Sequence, residues 1–202
     1  MTGYSDEINH AFAFAAKHHD REVRKGTRLP YVMAAPNVAV ILTRYGQDEE
    51  TVITGIVHDV VEDLVRDGCT SEMLANRISD KFGAGVLAAA LSVVERRVDD
   101  DGVELALEER RADRLARLKA AGVRARWVFA ARTLHAASTL LADLRRTEFP
   151  ESVWGRSSAG REGTVRWFGD ATRALKASGF DAPIVAELEA AAMALEGAPA
   201  AR

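Results

Sequence analysis

TVITGIVHDVVEDLVRD, residues 51–67, is the stretch whose reading decides the fold of this chain. Apolar side chains fill nearly every turn of it, yet His58, Asp59, Glu62 and Asp63 sit in its middle. On a helix, residues four apart share a face, so His58 stacks with Glu62 and Asp59 with Asp63. Three carboxylates beside an imidazole are costly to bury unless something cationic neutralises them. The alternative is an amphipathic helix with a solvated acidic face. Against it, Val57, Val60, Val61 and Leu64 leave little room for a wide polar stripe. The stretch therefore poses one question: which cation meets this face.

Working outward, the flanking sequence continues in helical periods. Ser5 is a candidate N-cap for a helix over 6–19, with Ile8, Phe12, Ala15 and Ala16 at helical spacing. DREVRKGTRLP (20–30) is a basic loop broken by Gly26 and Pro30. Pro36 opens a second helix over 37–45, stopped by Gly46, and Asp48 caps the central one. Further helices are predicted over 71–82, 84–94, 103–121, 124–146, 164–177 and 182–195, with a loop at 149–162. DDDG (99–102) reads as an exposed turn. The three tryptophans, Trp127, Trp154 and Trp167, are assigned to the core. No β-type alternation of useful length and no internal repeat occurs. The expected fold is all-α, a bundle of about eight or nine helices forming one domain over 1–196, with a disordered tail at 197–202.

Composition narrows the function classes. The 202 residues are 48% hydrophobic and 28% charged, as in a globular domain, and the net charge of −3 supplies no basic field for nucleic acid. A lone Cys69 excludes an intramolecular disulfide and the cysteine-based zinc patterns. No apolar run approaches the roughly 20 residues of a membrane span, and Asp6, Glu7 and His10 stand where a signal peptide needs a basic and then an apolar stretch. The expected location is the cytoplasm, with neither nucleic acid nor membrane as partner.

An adjacent His–Asp pair on a buried helix is half of a divalent-metal site. Imidazole with carboxylate suits manganese, iron or zinc, and an acid one turn away can activate a bound water. Four separate stretches then carry a family resemblance: FAAKHHDREVRKGTRLPYV, GQDEETVITGIVHDVVED, ARTLHAASTLLADL and VWGRSSAGREGTVRWF. In order and spacing they resemble the HD-domain hydrolases of guanosine polyphosphates (ppGpp, the alarmone), of the RelA/SpoT type and its small stand-alone relatives. The resemblance implies an all-helical HD domain that holds one manganese ion and directs water onto the 3′-pyrophosphate of the nucleotide. It places His58 and Asp59 among the metal ligands and Glu62 and Asp63 as the catalytic acids. It assigns Arg24, Lys25, Gly26 and Thr27 to the RKGT loop that contacts the nucleotide, with Pro30 and Tyr31 opening the next motif.

The departures from the pattern are specific. The first ligand His of the family falls on Ala34, the later ligand Asp on Arg132, and the Asn after the retained Leu134 and His135 on Ala136. Two of the four ligand positions are therefore without donors. Losing a divalent cation removes two positive charges, and Asp to Arg at 132 restores two. Arg132 is accordingly expected to point beside Asp59 and the acidic pair, as an electrostatic replacement for the metal; a place on a solvated face is the alternative. His18 and His19 occupy a position where family members commonly carry a His that is not a ligand, so they are not expected to restore the site. His135 is expected to pack beside it and His10 to be on the surface. Arg156, Arg161 and Arg166 extend a basic rim or pair with surface acids.

Three functions follow. The first is a catalytically impaired homologue that binds a guanine nucleotide such as ppGpp or a protein partner, without a cofactor. The second is an active guanosine-3′,5′-bis(diphosphate) 3′-diphosphatase with manganese in an atypical site. The third is a metal-free enzyme reusing the pocket, with Glu62 or Asp63 as general base beside Arg132.

Overall fold

The computed structural model describes residues 4–99 and 101–199, and among them the regular structure is helical throughout, in ten helices without a strand. The helices are α1 (Asp6–His18), α2 (Ala34–Arg44), α3 (Glu49–Arg66), α4 (71–82), α5 (Ala84–Leu91), α6 (Leu107–Leu118), α7 (Val123–Arg146), α8 (Pro150–Trp154), α9 (Gly160–Ala177) and α10 (Pro183–Glu196).

Local chemistry accounts for the ends. Ser5 Oγ accepts from Ile8 N at 3.1 Å to start α1, and Asp48 Oδ1 accepts from Thr51 N at 2.7 Å to start α3. Gly83, at φ +92°, ends α4. Within α4 a wide π-type turn runs over Ala75–Ser79. α2 begins two residues before Pro36, because the first turn of a helix tolerates a proline that has no N–H to offer.

Helix α3 is the centre of the bundle. α1, α2, α5 and α7 pack around it, and Val52, Ile53, Ile56, Val57, Val60, Val61 and Leu64 are all buried, so apart from Thr51, Thr54, His58 and its acids its middle is apolar all round. α2 crosses it closely at Gly55, where an added Cβ would lie 2.6 Å from Leu42 Cδ1 and 3.0 Å from Val38 Cγ1. On the far side α10 covers α7, and α9 bridges α10 to α6.

Four sequence expectations change at their edges. The loop predicted at 149–162 contains α8, which Pro150 starts, and α9 begins at Gly160 rather than at residue 164. The charged helix begins at Leu107, because Val98 and Glu104 pair as an isolated antiparallel bridge and Leu105 N donates to Arg97 O at 2.8 Å. α5 stops at Leu91. Of the expected tail, 197–199 are tied down: Trp154 Nε1 donates to Pro199 O at 2.9 Å, and Arg161 Nη2 donates to Ala198 O at 3.3 Å. Residues 200–202, and Asp100 of the DDDG turn, lie outside the described residues. Trp154 is buried, while Trp127 and Trp167 are half-buried against the core.

Candidate functional site

The acidic face of α3 is inside the protein. His58 is fully buried, and Asp59 and Asp63 are 6% and 5% exposed. The cation that meets Asp59 comes from α7. Arg132 Nη2 pairs with Asp59 Oδ1, and its Nη1 donates to His58 Nδ1 at 2.9 Å and lies 3.8 Å from Glu62 Oε2. A guanidinium has no lone pair, so His58 Nδ1 accepts and its proton sits on Nε2. Burial and the neighbouring Arg132 both depress the imidazole, which is neutral. Burial alone would raise the Asp59 carboxyl, but Arg132 and His58 outweigh it and hold it well below the ordinary carboxylate range. Tyr31 looks onto the same charge. The Asp59 carboxylate and burial push its hydroxyl above the usual phenol range, so it stays a donor.

A second guanidinium, from α6 and buried where Arg132 is half-buried, completes the charge balance. Arg114 Nη2 lies 3.5 Å from Glu62 Oε2, Arg114 Nε donates to Val93 O at 2.6 Å, and Glu95 N donates to the same Glu62 oxygen at 3.1 Å. Burial opposes the Glu62 charge, and Arg114 with Arg132 brings its carboxyl below the ordinary value. Two carboxylates, Asp59 and Glu62, thus face two guanidinium groups. The sequence reading missed Arg114, although a signal was present. Leu107, Arg111, Arg114 and Leu118 share one helical face, and an arginine between leucines on a core-facing stripe needs an acid partner.

One turn further along α3 the arrangement is different. Asp63 gives Oδ1 to Arg66 Nη1, while its Oδ2 is buried without a hydrogen-bond partner among the described residues. Facing that oxygen are His18 Nε2 and His19 Nδ1, each at 3.6 Å. His19 Nδ1 also shares a proton with Glu22 Oε2 at 3.0 Å. Burial raises the Asp63 carboxyl above its ordinary range in spite of Arg66. The sequence reading had set both histidines aside; the packing of α1 on α3 brings them to the acid.

The basic loop lies across from Arg132. Arg24 N donates to Leu29 O at 2.9 Å, and Thr27 Oγ1 donates to Arg24 O at 2.8 Å while accepting from Leu29 N at 3.2 Å. The Thr27 hydroxyl therefore builds the loop. Gly26, at φ +74°, lets the Arg156 side chain lie against the loop, since a Cβ there would meet it at 3.0 Å. Asp143 of α7 fixes both cations, at 3.3 Å from Arg24 and 2.6 Å from Arg156. Two adjoining cavities open here. One, of about 270 Å³, includes Arg24, Tyr31, Ala34, His135 and Ala136 in its lining. The other, of about 310 Å³, includes Arg24, Lys25, Tyr31, Trp154 and Arg156. Of the expected basic rim, Arg161 is used elsewhere, donating to Glu196 O at 2.7 Å.

The metal implied by the resemblance does not fit the family position. Ala34 carries no donor, Asp59 is engaged by a permanent cation, and a guanidinium stands where a carboxylate ligand would be. His58 Nδ1 is likewise taken by Arg132, and His58 Nε2, which carries the proton, has no lone pair to offer an ion.

Comparison with known proteins places this geometry. A family profile described as "HD domain" matches residues 11–153. The chain is 34% identical over 83 residues to a guanosine-3′,5′-bis(diphosphate) 3′-pyrophosphohydrolase of Aquifex aeolicus (strain VF5), covering 41% of this chain and 11% of that protein. It is 29% identical over 113 residues to a GTP pyrophosphokinase of Myxococcus xanthus, covering 56% of this chain and 14% of that one. The aligned regions thus span only a small part of both relatives. Among solved structures, a metazoan ortholog of SpoT that hydrolyzes ppGpp superposes with a TM-score of 0.67 at 21% identity, covering 93% of this chain and 94% of that one. The crystal structure of lmo0812 from Listeria monocytogenes EGD-e superposes with a TM-score of 0.65 at 23% identity, covering 80% and 97%. Hydrolases of the HD family typically use a divalent metal. With the profile spanning most of its length and the helical core superposing on these structures, the chain belongs to the HD-domain family, alongside the ppGpp hydrolases of the RelA/SpoT type.

Proposed function

We propose that this chain binds a guanosine polyphosphate such as ppGpp in the cleft between its basic loop and α7, and does not hydrolyse it at the family's metal position. One observation carries the reading: the Arg132 guanidinium pairs with Asp59 and donates to His58, the two metal-ligand residues that remain. Arg24, Lys25 and Arg156 give the cleft three cations for phosphate groups, and the Tyr31 hydroxyl is a donor at its inner wall. Glu62, clamped between two guanidinium groups that bring its carboxyl below the ordinary value, is a weaker base than a free glutamate. Asp63, the other acid of the motif, faces away from Arg132 toward α1.

The test is direct. Purified protein in excess manganese should leave ppGpp intact by chromatography, while calorimetry should detect its binding. Binding should weaken by about ten- to a hundredfold in Arg24→Ala, the effect of one charge-assisted contact. The variant Ala34→His/Arg132→Asp should gain manganese-dependent release of pyrophosphate. Normal turnover by the unaltered protein would overturn the reading.

A further inference from the structure

One buried oxygen of the acidic helix faces imidazoles rather than a guanidinium, and it is not in the family's metal position. Among the described residues Asp63 Oδ2 is buried and without a hydrogen-bond partner, and two imidazole nitrogens, His18 Nε2 and His19 Nδ1, both face it at 3.6 Å. That separation is too long for a hydrogen bond. It is close to the distance between two ligands of one metal ion. Metal–nitrogen and metal–oxygen bonds of about 2.0–2.2 Å at a tetrahedral angle set neighbouring donors about 3.3–3.6 Å apart.

From this geometry we infer that His18, His19 and Asp63 form a binding site for a divalent transition-metal ion, one helical turn along α3 from the position the family uses. One ligand atom from each lies within 4.8 Å of the others, and among the described residues they are the one such group of three. The donor set, two imidazoles and a carboxylate, is that of zinc, manganese, iron(II) or cobalt(II) sites rather than of magnesium or calcium.

The surroundings supply what such a site needs beyond its ligands. Arg66 takes Asp63 Oδ1, which orients the carboxylate and leaves Oδ2 toward the imidazoles. Glu22 already reaches His19 Nδ1 at 3.0 Å and is 44% exposed, so it is free to turn in as a fourth ligand. His19 is held by the Tyr31 ring, with centroids 5.0 Å apart, and stands edge-on to His18 at 4.8 Å. His18 is the one partly exposed ligand. It lines a groove with His10, Phe14, Lys17, Arg77 and Lys81, which gives an ion its entry path. The cations on that groove suit an anionic ligand, such as a phosphate or hydroxide, at a coordination position left open on the metal.

This site is independent of Arg132. At Asp59 a guanidinium has taken the cation's place, whereas Arg66 pairs with Asp63 at Oδ1 and the groups facing Oδ2 are the two imidazoles.

The experiment measures metal directly. Full-length protein is stripped with a chelator and titrated with zinc(II), cobalt(II) and manganese(II) by calorimetry, with elemental analysis after dialysis. One equivalent of at least one of these ions should bind. Asp63→Asn and His18→Ala should each weaken it by more than a hundredfold, while His58→Ala should change it by no more than a few-fold. His18 is 24% exposed, so His18→Ala keeps the test valid if substitution of buried Asp63 impairs folding, with circular dichroism as the check. Absence of binding at millimolar metal would overturn the inference. Equal affinity in Asp63→Asn would overturn it too. Loss of the metal in His58→Ala with retention in Asp63→Asn would return the ion to the family position and sink the Arg132 reading as well.

Discussion

Asp59 and Asp63 lie one turn apart on the same face of α3, and both are at most 6% exposed. Asp59 meets a guanidinium that reaches across from α7, and its carboxyl is held far below the ordinary range. Among the described residues the guanidinium that pairs with Asp63 comes from its own helix, and its carboxyl is raised. The difference is not in the acids or in their burial. It lies in which helix faces each one: α7 brings a permanent cation, while α1 brings two imidazoles that are cationic only when protonated. The acidic motif thus divides into a half satisfied by the protein itself and a half that still calls for a cation from outside.

The largest expected effect comes from removing the satisfied half's cation. Arg132→Ala leaves Asp59 buried and uncompensated, which costs about 3–5 kcal/mol. Urea denaturation should report that loss, and the melting temperature should fall by roughly 10 °C for a chain of this size. Replacing both partners, as in Asp59→Asn/Arg132→Met, should recover most of it, because the cost lies in the orphaned charge. A loss below about 1 kcal/mol in Arg132→Ala would mean that water, not Arg132, satisfies Asp59.

How much of this was legible beforehand depended on whether the deciding contact was local. α3 could be read from residues 51–67, because helical stacking of His58 with Glu62 and Asp59 with Asp63 needs no tertiary information. The direction in which Arg132 points came from family register rather than from periodicity, since nothing in 124–146 alone says which α7 residue meets α3. The charge balance was only half visible, because Arg114 looks like one more arginine in a run of surface charges until α6 is docked. The meeting of His18 and His19 with Asp63 was invisible, as it depends on how α1 lies across α3. The helix Pro150–Trp154 was hidden by its shortness and by the flanking Pro, Ser and Gly.

A middle-sized effect tests whether the two halves share one frame. Gly55 lies four residues before Asp59, and a methyl there would press Leu42 and Val38, both fully buried and without room to retreat. Gly55→Ala should therefore cost about 1–3 kcal/mol by overpacking, although alanine is the better helix former. If α3 moves as one rigid body, ligand binding in the cleft and metal binding at Asp63 should both weaken. A change in only one would show that α7 and α1 position their halves separately.

The smallest effect is expected at the unsatisfied half, and its sign sets the two acids apart. A carboxyl whose folded pKa is depressed contributes stability above its unfolded value of about 3.9, lost as pH falls through the folded value; this is Asp59. A carboxyl whose folded pKa is raised contributes stability below that same value, lost as pH rises through the folded one; this is Asp63. In chelator-treated protein, Asp63→Asn removes the second term while leaving the first. Its stability at pH 7 should match or exceed that of the unaltered chain, by no more than about 1 kcal/mol, because the partner given up, Arg66, is 39% exposed and can be solvated. The difference between the two proteins should shrink as pH is lowered toward 4. With metal restored the order should invert, since only the unaltered chain gains the binding energy of the ion. A loss of 3 kcal/mol or more in the stripped Asp63→Asn variant would show that Asp63 is as fully neutralised as Asp59, and the contrast between the two turns of α3 would disappear.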